Sequence, residues 1–407
     1  MTDAFAPHVV FLNWRDVLHP EGGGSEVYIE RMAAELVARG YRVTVFCQAH
    51  GSAPEREIKP DGVAIVRRGG RHTVYLRAAV AYLAGVLGFG PLSRRGLGRP
   101  DLIVDVCNGL PFLSPLYSRR PVVTLVHHVH REQWPVVFGP VMSRIGWWIE
   151  SRLAVRVYRR RRYVTVSPTS RRELTELGVD PEMIRVVHNG TPEVAGAPAP
   201  RSAHPSLLVL GRLVPHKRIE LALRVTALLT PELPDLELVV AGRGWWEEPL
   251  RELAADLGIE DRVRFTGYIP DEHKQELLCR SWLSLAPSLK EGWGLTIVEA
   301  GAHGTPAVAF RSAGGVADAI VDGETGLLVH DEVDFLRAVR RLLRDPERRA
   351  EMGVAAQKYA QQFTWAASGA AFAEVVAERL RTAGAGAGLP DGVPGANPRP
   401  PHGQRVP

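Results

Sequence analysis

The sequence predicts an α/β protein in which two Rossmann-like βαβ domains face a central cleft. Three observations support this prediction. A buried strand, a glycine-containing loop and an amphipathic helix follow one another near the N-terminus, and the same order recurs after residue 205. A proline-rich stretch separates the two occurrences. At 407 residues, the chain also exceeds the roughly 250–300 residues that a single hydrophobic core organises.

The first domain is predicted over residues 1–197. Its first strand runs into Gly22, Gly23 and Gly24, a run that is typical of a turn or loop. Apolar residues then recur at helical spacing until Gly40. The glycine loop is therefore expected at the carboxyl edge of a parallel sheet, where such folds bind ligands, but it lacks the dinucleotide fingerprint and does not predict NAD. The predicted strands cover residues 8–13, 41–46, 101–106, 122–126 and 163–166.

The second domain is predicted over residues 198–365, after a linker that holds four prolines between residues 191 and 205. A last helix over residues 366–382 is expected to pack back toward the first domain. The Gly, Ala and Pro content of residues 383–407 predicts a disordered tail. The predicted strands of the second domain cover 206–210, 236–241, 263–265, 282–286 and 327–329, and its helices cover 219–229, 249–257, 273–279 and 335–343.

Composition indicates an ordinary globular protein of a reducing compartment. Hydrophobic residues make up 45% and charged residues 23% of the chain. The three cysteines are far apart and form no ligand cluster, which favours a cytoplasmic location. The N-terminus has no basic segment before a long apolar run, so we expect no export signal. No run reaches the about 20 apolar residues of a membrane-spanning helix.

Arginines are concentrated in two stretches of the first domain. Residues 144–172 hold nine arginines and one acid, Glu150, and residues 67–99 hold seven arginines and no acid. Aromatic and apolar residues lie among them, which suggests peripheral contact with an anionic bilayer surface. A nucleic-acid groove is the competing interpretation, but no zinc-finger, helix-turn-helix or RNP pattern supports it. A plain solvated face is the third interpretation.

The segment from Glu291 to Glu299 predicts a ligand site. Glycines on both sides of Trp293 let the backbone approach a ligand closely, and a helix that begins near Leu295 directs its first amides into the turn. The two carboxylates would accept hydroxyl hydrogen bonds on either side of a bound diphosphate. Phosphate and polyol together indicate a nucleotide sugar. The alternative is an ordinary strand–turn–helix crossover with two solvated glutamates.

Further candidates follow other strands. Arg212 and Lys217 come after the first strand of the second domain and suit a pyrophosphate, although ordinary loop cations would give the same pattern. Three histidines, His127, His128 and His130, follow the strand 122–126. We expect no metal there, because alternating strand geometry separates His127 from His128 and no carboxylate pair completes a ligand set. The chain also has no Asp-x-Asp pair for a metal-held diphosphate.

Taken together, these motifs resemble the retaining glycosyltransferases of family four, which have the GT-B fold. The resemblance spans about residues 8 to 380. It rests on Gly211-Arg212-Leu213 with Lys217, on Glu291-x7-Glu299 continuing to Pro306, on the Gly23-Gly24 loop and on His188-Asn189-Gly190.

The resemblance implies roles for individual residues. Arg212 and Lys217 would bind the donor diphosphate, and Glu299 would bind the ribose hydroxyls. Glu291 would hold hydroxyls of the transferred sugar, and His127 would lie beside that sugar near its anomeric carbon. The implied catalytic residues are His127, Glu291, Arg212 and Lys217. The implied donor-binding residues are Gly23, Gly24, Arg212, Lys217, Gly292, Trp293, Gly294, Leu295, Thr296 and Glu299.

The implied activity is the transfer of a hexose from a UDP- or GDP-linked sugar to a hydroxyl of a cell-envelope lipid or polysaccharide precursor. No metal or other cofactor is expected. The base would lie near residues 265–269. Trp245 and Trp246 replace an acidic residue and a proline that relatives often carry, and they would line the donor or acceptor wall or simply be buried. The alternatives are another nucleotide-sugar enzyme of the same fold, such as an epimerase or phosphorylase, and a non-catalytic, membrane-docked binding module.

Overall fold

A computed structural model describes residues 6–192, 194 and 199–385 of the chain. The predicted α/β architecture with two Rossmann-like domains is confirmed in this part, which contains two mainly parallel sheets with helices on both faces. The predicted disordered tail, residues 383–407, lies outside the described residues from position 386 onward. Residues 383–385 still belong to the last helix.

The sheet of the first domain has eight strands in the order β3-β4-β2-β1-β5-β6-β7-β8. All neighbours are parallel except the edge strand β3, which runs antiparallel to β4. The strands are β1 (His8–Leu12), β2 (Arg42–Cys47), β3 (Arg56–Ile58), β4 (Ala64–Arg67), β5 (Leu102–Val106), β6 (Val122–Val126), β7 (Arg162–Thr165) and β8 (Ile184–Val186).

Helices cover both faces of this sheet, because the central strands are apolar on both sides. In β1, Val9 and Phe11 belong to the core cluster that includes Tyr28, whereas Val10 and Leu12 belong to the cluster on the opposite face. The helices of the first domain are α1 (Gly24–Ala38), α2 (Val74–Val86), α3 (Trp134–Val137), α4 (Pro140–Trp148), α5 (Val155–Tyr158) and α6 (Pro168–Glu176), with a π-helical segment (Ile149–Ala154) between α4 and α5.

The sheet of the second domain has six parallel strands in the order β11-β10-β9-β12-β13-β14. The strands are β9 (Ser206–Leu210), β10 (Glu237–Ala241), β11 (Val263–Gly267), β12 (Leu283–Ala286), β13 (Ala307–Phe310) and β14 (Gly326–Val329). The helices are α7 (Ile219–Leu229), α8 (Glu247–Asp256), α9 (Asp271–Arg280), α10 (Leu295–Ala302), α11 (Val316–Ala319), α12 (Glu332–Arg344) and α13 (Pro346–Ala360), followed by α14 (Trp365–Ala385).

Four strands were not predicted from the sequence. β3 and β8 are three-residue edge strands, too short to show a periodicity. β4 has only four residues and follows a turn at Gly62. β13 contains two alanines, which have low β propensity, so its strand character comes from its buried position between β12 and β14.

The last helix, α14, crosses to the first domain and packs against α1. Phe372 is fully buried there, and its ring stacks on Phe11 of β1 with centroids 5.8 Å apart. The two crossing segments also contact each other, since the backbone N–H of Thr191 donates to the carbonyl of Phe363 at 2.9 Å. The two crossings therefore lie side by side.

Truncation of the Phe372 side chain is expected to destabilise the protein. Phe372→Ala should lower the free energy of unfolding by about 3–5 kcal/mol, because it leaves a cavity in the core that joins α14 to β1. Urea denaturation followed by circular dichroism measures this. The control is Glu374→Ala on the exposed face of the same helix, with an expected change within about 0.5 kcal/mol. Equal effects of the two substitutions would contradict this account of the packing.

Candidate active site

A small pocket at the carboxyl edge of the second sheet holds two of the predicted cations. Arg212, Lys217, Glu291 and Thr296 line it, together with the residues that end β9 and β12. The ammonium group of Lys217 forms an ion pair with Oε1 of Glu291. The hydroxyl of Ser288 donates to the same oxygen at 2.7 Å. The β9 loop and the segment after β12 thus meet as a consequence of parallel-sheet topology.

Arg212 reaches across the cleft to the glycine loop of the first domain. A Cβ atom on Gly23 would lie only 3.1 Å from Nε of Arg212, so the absent side chain makes room for the guanidinium. An Nη atom of Arg212 donates to the carbonyl of Glu21 at 3.3 Å. Gly24 lies beside Leu295: a Cβ atom added to Gly24 would be 3.6 Å from Cδ2 of Leu295. The glycine loop and the start of α10 therefore face each other.

The two domains approach each other closely at Gly292 and His127. A Cβ atom on Gly292 would lie 2.6 Å from the carbonyl oxygen of His127, which is less than any unstrained contact. Two residues later, Gly294 has φ of +95°, a left-handed conformation that favours glycine, and it forms the N-cap of α10. Gly292 is thus required by the close approach to His127, and Gly294 by its left-handed conformation at the start of α10.

His127 is buried, at 5% exposure, and its Nε2 has no hydrogen-bond partner among the described residues. Burial lowers the pKa of His127 to about 4, although nearby Glu26 raises it slightly. The ring packs edge-on against Tyr28, with centroids 5.3 Å apart. The imidazole is therefore neutral at pH 7, with one buried ring nitrogen left unpaired.

Electrostatics keep the pocket charged. Burial raises the pKa of Glu291, but Lys217 and the Ser288 hydroxyl outweigh this effect, so that its pKa is below the ordinary value. Burial, reinforced by Arg15, lowers the pKa of Arg212 from its ordinary value. The result is an ionised carboxylate and two cations in a partly enclosed space, an arrangement that stabilises phosphate and sugar hydroxyls.

Glu299 lies one helical turn beyond this pocket and does not line it. It is buried on α10, and its Oε1 accepts a bond from Nζ of Lys274 at 3.0 Å. Burial raises the pKa of Glu299, and Lys274 opposes the rise. Lys274 belongs to α9 and also contacts Asp271 at 3.1 Å. Of the four predicted side chains, Arg212, Lys217 and Glu291 line one pocket, and Glu299 lies one helical turn beyond it.

Other predicted residues lie in different surroundings. The Trp293 side chain is buried between His188 and Phe363, with ring centroids 4.4 and 4.9 Å away, so only its main chain is available to a ligand. His130 is hydrogen-bonded through Nδ1 to Oε1 of Glu150 at 2.8 Å, and Nε2 of His128 lies 3.1 Å from Oε1 of Gln133. Both are held within the first domain.

The region predicted for the base is at the end of β11. Tyr268 is 70% exposed there, and the guanidinium of Arg243 lies 5.8 Å from the centre of its ring. Trp245 is 62% exposed, whereas Trp246 is half-buried and donates its Nε1–H to Glu220. Trp245 thus faces solvent, whereas Trp246 packs against its own domain.

The described residues show no metal-binding cluster. Within residues 6–192, 194 and 199–385, no three His, Cys, Asp or Glu side chains are grouped as a metal site requires. His127 and His128 have different neighbours, as the strand alternation predicts. A metal-free reaction remains a prediction from the sequence.

Comparisons with known proteins identify the family. The family model described as Glycosyltransferase Family 4 matches residues 22–193, and the model described as Glycosyl transferases group 1 matches residues 196–359. A D-inositol 3-phosphate glycosyltransferase from Thermobispora bispora is 31% identical, over 88% of this chain and 91% of the relative. The chain belongs to glycosyltransferase family four. It is therefore a glycosyltransferase, as predicted.

Other relatives agree with this assignment. A GDP-mannose-dependent alpha-(1-6)-phosphatidylinositol monomannoside mannosyltransferase from Mycolicibacterium smegmatis is 30% identical over 88% of this chain and 96% of the relative. The structure is similar to sucrose-phosphate synthase from Thermosynechococcus elongatus, with a TM-score of 0.78 at 20% identity, covering 92% of this chain and 100% of that one. HepE from Anabaena in complex with UDP and glucose gives 0.68 at 19% identity, covering 91% and 100%. These structures confirm the GT-B fold of this glycosyltransferase.

Sequence reasoning missed several residues of the site. Glu26 holds the glycine loop: its Oε2 accepts from the backbone N–H of Gly23 at 2.7 Å, and its Oε1 accepts from Nε of Arg15 at 3.0 Å. The spacing Gly23-x-x-Glu26 at a helix start is a capping signal that could have revealed it. Lys274 had no such local signal, because its partner Glu299 lies 25 positions away on another helix. Ser288 lies only three residues from its partner Glu291 and was overlooked.

A side chain at position 292 is expected to prevent closure of the cleft. Gly292→Ala should lower the rate of nucleoside diphosphate release from the donor sugar at least 100-fold, because the added Cβ would overlap the carbonyl of His127. The measurement is a coupled assay of nucleotide release. The matched control is Gly70→Ala, where no atom lies within 4 Å of an added Cβ. Wild-type turnover by the Gly292 variant would refute the close approach of the two domains.

Proposed function

We propose that this glycosyltransferase moves a hexose from a nucleotide diphosphate sugar to a hydroxyl acceptor with retention of anomeric configuration. The observation that carries the proposal is the pocket in which Lys217 and Glu291 meet, with Arg212 extended toward Gly23 and His127 beside Gly292. Cations and a carboxylate at the carboxyl edge of a parallel sheet suit a diphosphate and the hydroxyls of a sugar.

In this proposal the diphosphate charge is carried by protein groups. Arg212 offers a forked donor, and Lys217 has three N–H groups, so it can keep its bond to Glu291 while it contacts a phosphate oxygen. The first amides of α10, at Leu295 and Thr296, add donors at a helix N-terminus. These groups would stabilise the negative charge that grows on the diphosphate as the glycosidic bond breaks.

Retention is proposed to occur by front-face displacement. The bond from the anomeric carbon to the leaving phosphate oxygen breaks, the bond to the acceptor oxygen forms on the same face, and the acceptor proton passes to the leaving phosphate. Glu26 is the carboxylate that acts on the pKa of His127, and Arg15 and the backbone of Gly23 engage both of its oxygens. Because Glu26 is thus not free to act as a base, its contacts support a scheme in which the leaving phosphate takes the proton. His127, being neutral, would contact the sugar as a hydrogen-bonding group.

The names of the relatives guide the choice of substrates. The Mycolicibacterium relative is named for GDP-mannose and for phosphatidylinositol monomannoside, and the Thermobispora relative for D-inositol 3-phosphate. We therefore propose a UDP- or GDP-hexose as donor and a hydroxylated precursor of a cell-envelope lipid or polysaccharide as acceptor. The proposed location is the cytoplasmic side of the membrane, and no nucleic-acid partner is proposed.

Loss of either donor-site charge should weaken nucleotide binding. We expect Lys217→Ala and Glu299→Ala each to raise the Kd for the preferred nucleotide about tenfold, that is by about 1.4 kcal/mol. Isothermal calorimetry with UDP and GDP measures the effect, after a thermal-shift panel of UDP-, GDP- and ADP-hexoses identifies the donor. Lys358→Ala, on an exposed face of α13, is the control. Unchanged affinity in both site variants would remove the donor-site assignment.

Two other functions are separated by a turnover assay. A nucleotide-sugar epimerase of the same fold would convert the donor without net release of nucleoside diphosphate that depends on an acceptor. A membrane-docked binding module would release none under any condition. Acceptor-dependent release that disappears in Glu291→Ala supports the transferase.

A second surface supports membrane attachment. Helix α4 has its small residues, Ser143 and Gly146, on the buried face, where Gly146 packs on Trp134. Its large apolar residues are exposed to solvent, the reverse of an ordinary amphipathic helix. The exposed apolar side chains of α4 are Val141, Met142, Ile145 and Trp148.

Charge on this surface is one-sided. Glu150 is the one acid among the arginines of residues 144–172, and it points inward, bonded to the backbone and ring of His130 and to Nε1 of Trp134. The exposed arginines Arg144, Arg152, Arg156, Arg159 and Arg160 therefore have no acidic neighbour within their own stretch of helix. Among the described residues, no helix is long and apolar enough to cross a bilayer. We propose that this surface docks on anionic lipid.

Substitutions on the docking surface should reduce membrane association. Ile145→Ser with Trp148→Ser, and separately Arg159→Ala with Arg160→Ala, are expected to lower co-flotation with phosphatidylglycerol-containing vesicles at least threefold. The arginine pair should act only at low salt, because screening weakens exposed charges. Leu228→Ser, an exposed position in the second domain, is the control. Flotation that is unaffected by salt and by both double substitutions would rule out this surface.

A further inference from the structure

The side chain of Lys290, the residue before Glu291, extends from the second domain to the first. Its ammonium group forms an ion pair with Oε1 of Glu173 on α6, and Oε2 of Glu132 lies 3.6 Å away. Lys290 is 6% exposed. The pair therefore spans the cleft and is largely shielded from water.

Such a pair is sensitive to whether the domains are closed. Burial raises the pKa of Glu173, and the bond and charge of Lys290 oppose the rise. A buried charge without its partner is strongly unfavourable, whereas the same charge in water costs little. Opening of the cleft would expose both groups, and closing brings them together.

The second domain holds α6 at another point. Oδ2 of Asp318 accepts from the backbone N–H of Thr169 at 2.8 Å, at the N-terminus of α6, where a carboxylate is favourable. Oδ1 of Asp318 also lies 3.8 Å from Arg172. Asp318 and Lys290 thus contact α6 with opposite charges, so a rotation of the helix against the second domain would break one of them.

Helix α6 in turn contacts the reacting region. The hydroxyl of Ser170 donates to the carbonyl of His127 at 3.1 Å, and the same carbonyl is the surface against which Gly292 packs. A continuous path of contacts therefore runs from Lys290 through Glu173 and Ser170 to His127 and back to Gly292. The path joins the two sides of the donor-sugar site without touching the donor pocket.

We propose that Lys290 is a positioning residue, which couples closure of the cleft to the alignment of Glu291 with His127. The inference rests on the proposed function. Lys290 does not line the donor pocket, and its partner Glu173 lies in the other domain, so its effect falls on the reaction rather than on nucleotide binding.

The test compares variants on both sides of the cleft. The variants are Lys290→Met, Glu173→Gln, Lys290→Glu alone and the charge exchange Lys290→Glu with Glu173→Lys. The control is Lys59→Met, whose pair with Glu30 lies within the first domain. Three quantities are measured: the Kd for UDP and GDP, the rate of nucleoside diphosphate release from UDP-glucose and GDP-mannose, and the radius of gyration with saturating nucleotide by small-angle X-ray scattering.

We expect Lys290→Met and Glu173→Gln to lower the release rate about tenfold, with nucleotide Kd within about twofold of wild type and a larger radius of gyration in the nucleotide complex. The charge exchange should be more active than Lys290→Glu alone, and Lys59→Met should behave as wild type. Wild-type turnover and wild-type scattering by Lys290→Met would overturn the inference. So would a nucleotide Kd that rises as much as the rate falls.

Failure of the proposed function looks different. If the wild-type protein releases nucleotide from neither sugar nucleotide and binds neither UDP nor GDP, the transferase proposal for these donors fails. The scattering comparison between wild type and Lys290→Met is then made without nucleotide, and it still decides whether the pair closes the cleft.

Discussion

The contact between the Gly292 backbone and the carbonyl of His127 is the constraint on which the site depends. No side chain lies between the two domains at this point, because an added Cβ would be 2.6 Å from the carbonyl oxygen. Glu291 is therefore held next to the strand end that carries His127. The neighbouring glycines serve the same approach: Gly23 admits the guanidinium of Arg212, and Gly294 starts α10 in a left-handed conformation. The proposed sugar site lies where two sheet edges meet without intervening side chains.

Charge is distributed unequally across this contact. The second domain contributes an ionised carboxylate at Glu291, stabilised by Lys217, while the first contributes a neutral imidazole at His127, whose pKa burial lowers to about 4. Glu26 is occupied by Arg15 and the Gly23 backbone. Arg212 and Lys217 outnumber the single carboxylate of Glu291 in the pocket, so the side of the cleft that would bind the leaving diphosphate carries a net positive charge. Among the residues that the structure describes, the carboxylate that acts on the pKa of His127 is Glu26, and neither of its oxygens is left unengaged.

The sequence predicted the fold and much of this site, because parallel sheets place successive loops on one edge. Knowing that Arg212 and Lys217 follow one strand and Glu291 another was enough to bring them together. Side-chain contacts between elements that are distant in the sequence could not be predicted from local sequence patterns. Lys290 and Glu173 are 117 positions apart, and nothing in either segment indicates the other. Glu299 was expected to share a pocket with Lys217, but it does not line that pocket and is paired with Lys274 of α9. The edge strands β3 and β8 were too short to show a period.

The most direct measurement is a crystal structure of the protein with an intact nucleotide sugar, selected by thermal shift. The account predicts a diphosphate within hydrogen-bond distance, about 3 Å, of Arg212 and Lys217, and a hexose between Glu291 and His127 with the cleft closed over it. A nucleotide bound to the first domain alone would contradict the account. So would a donor-filled cleft in which Gly292 remains far from His127.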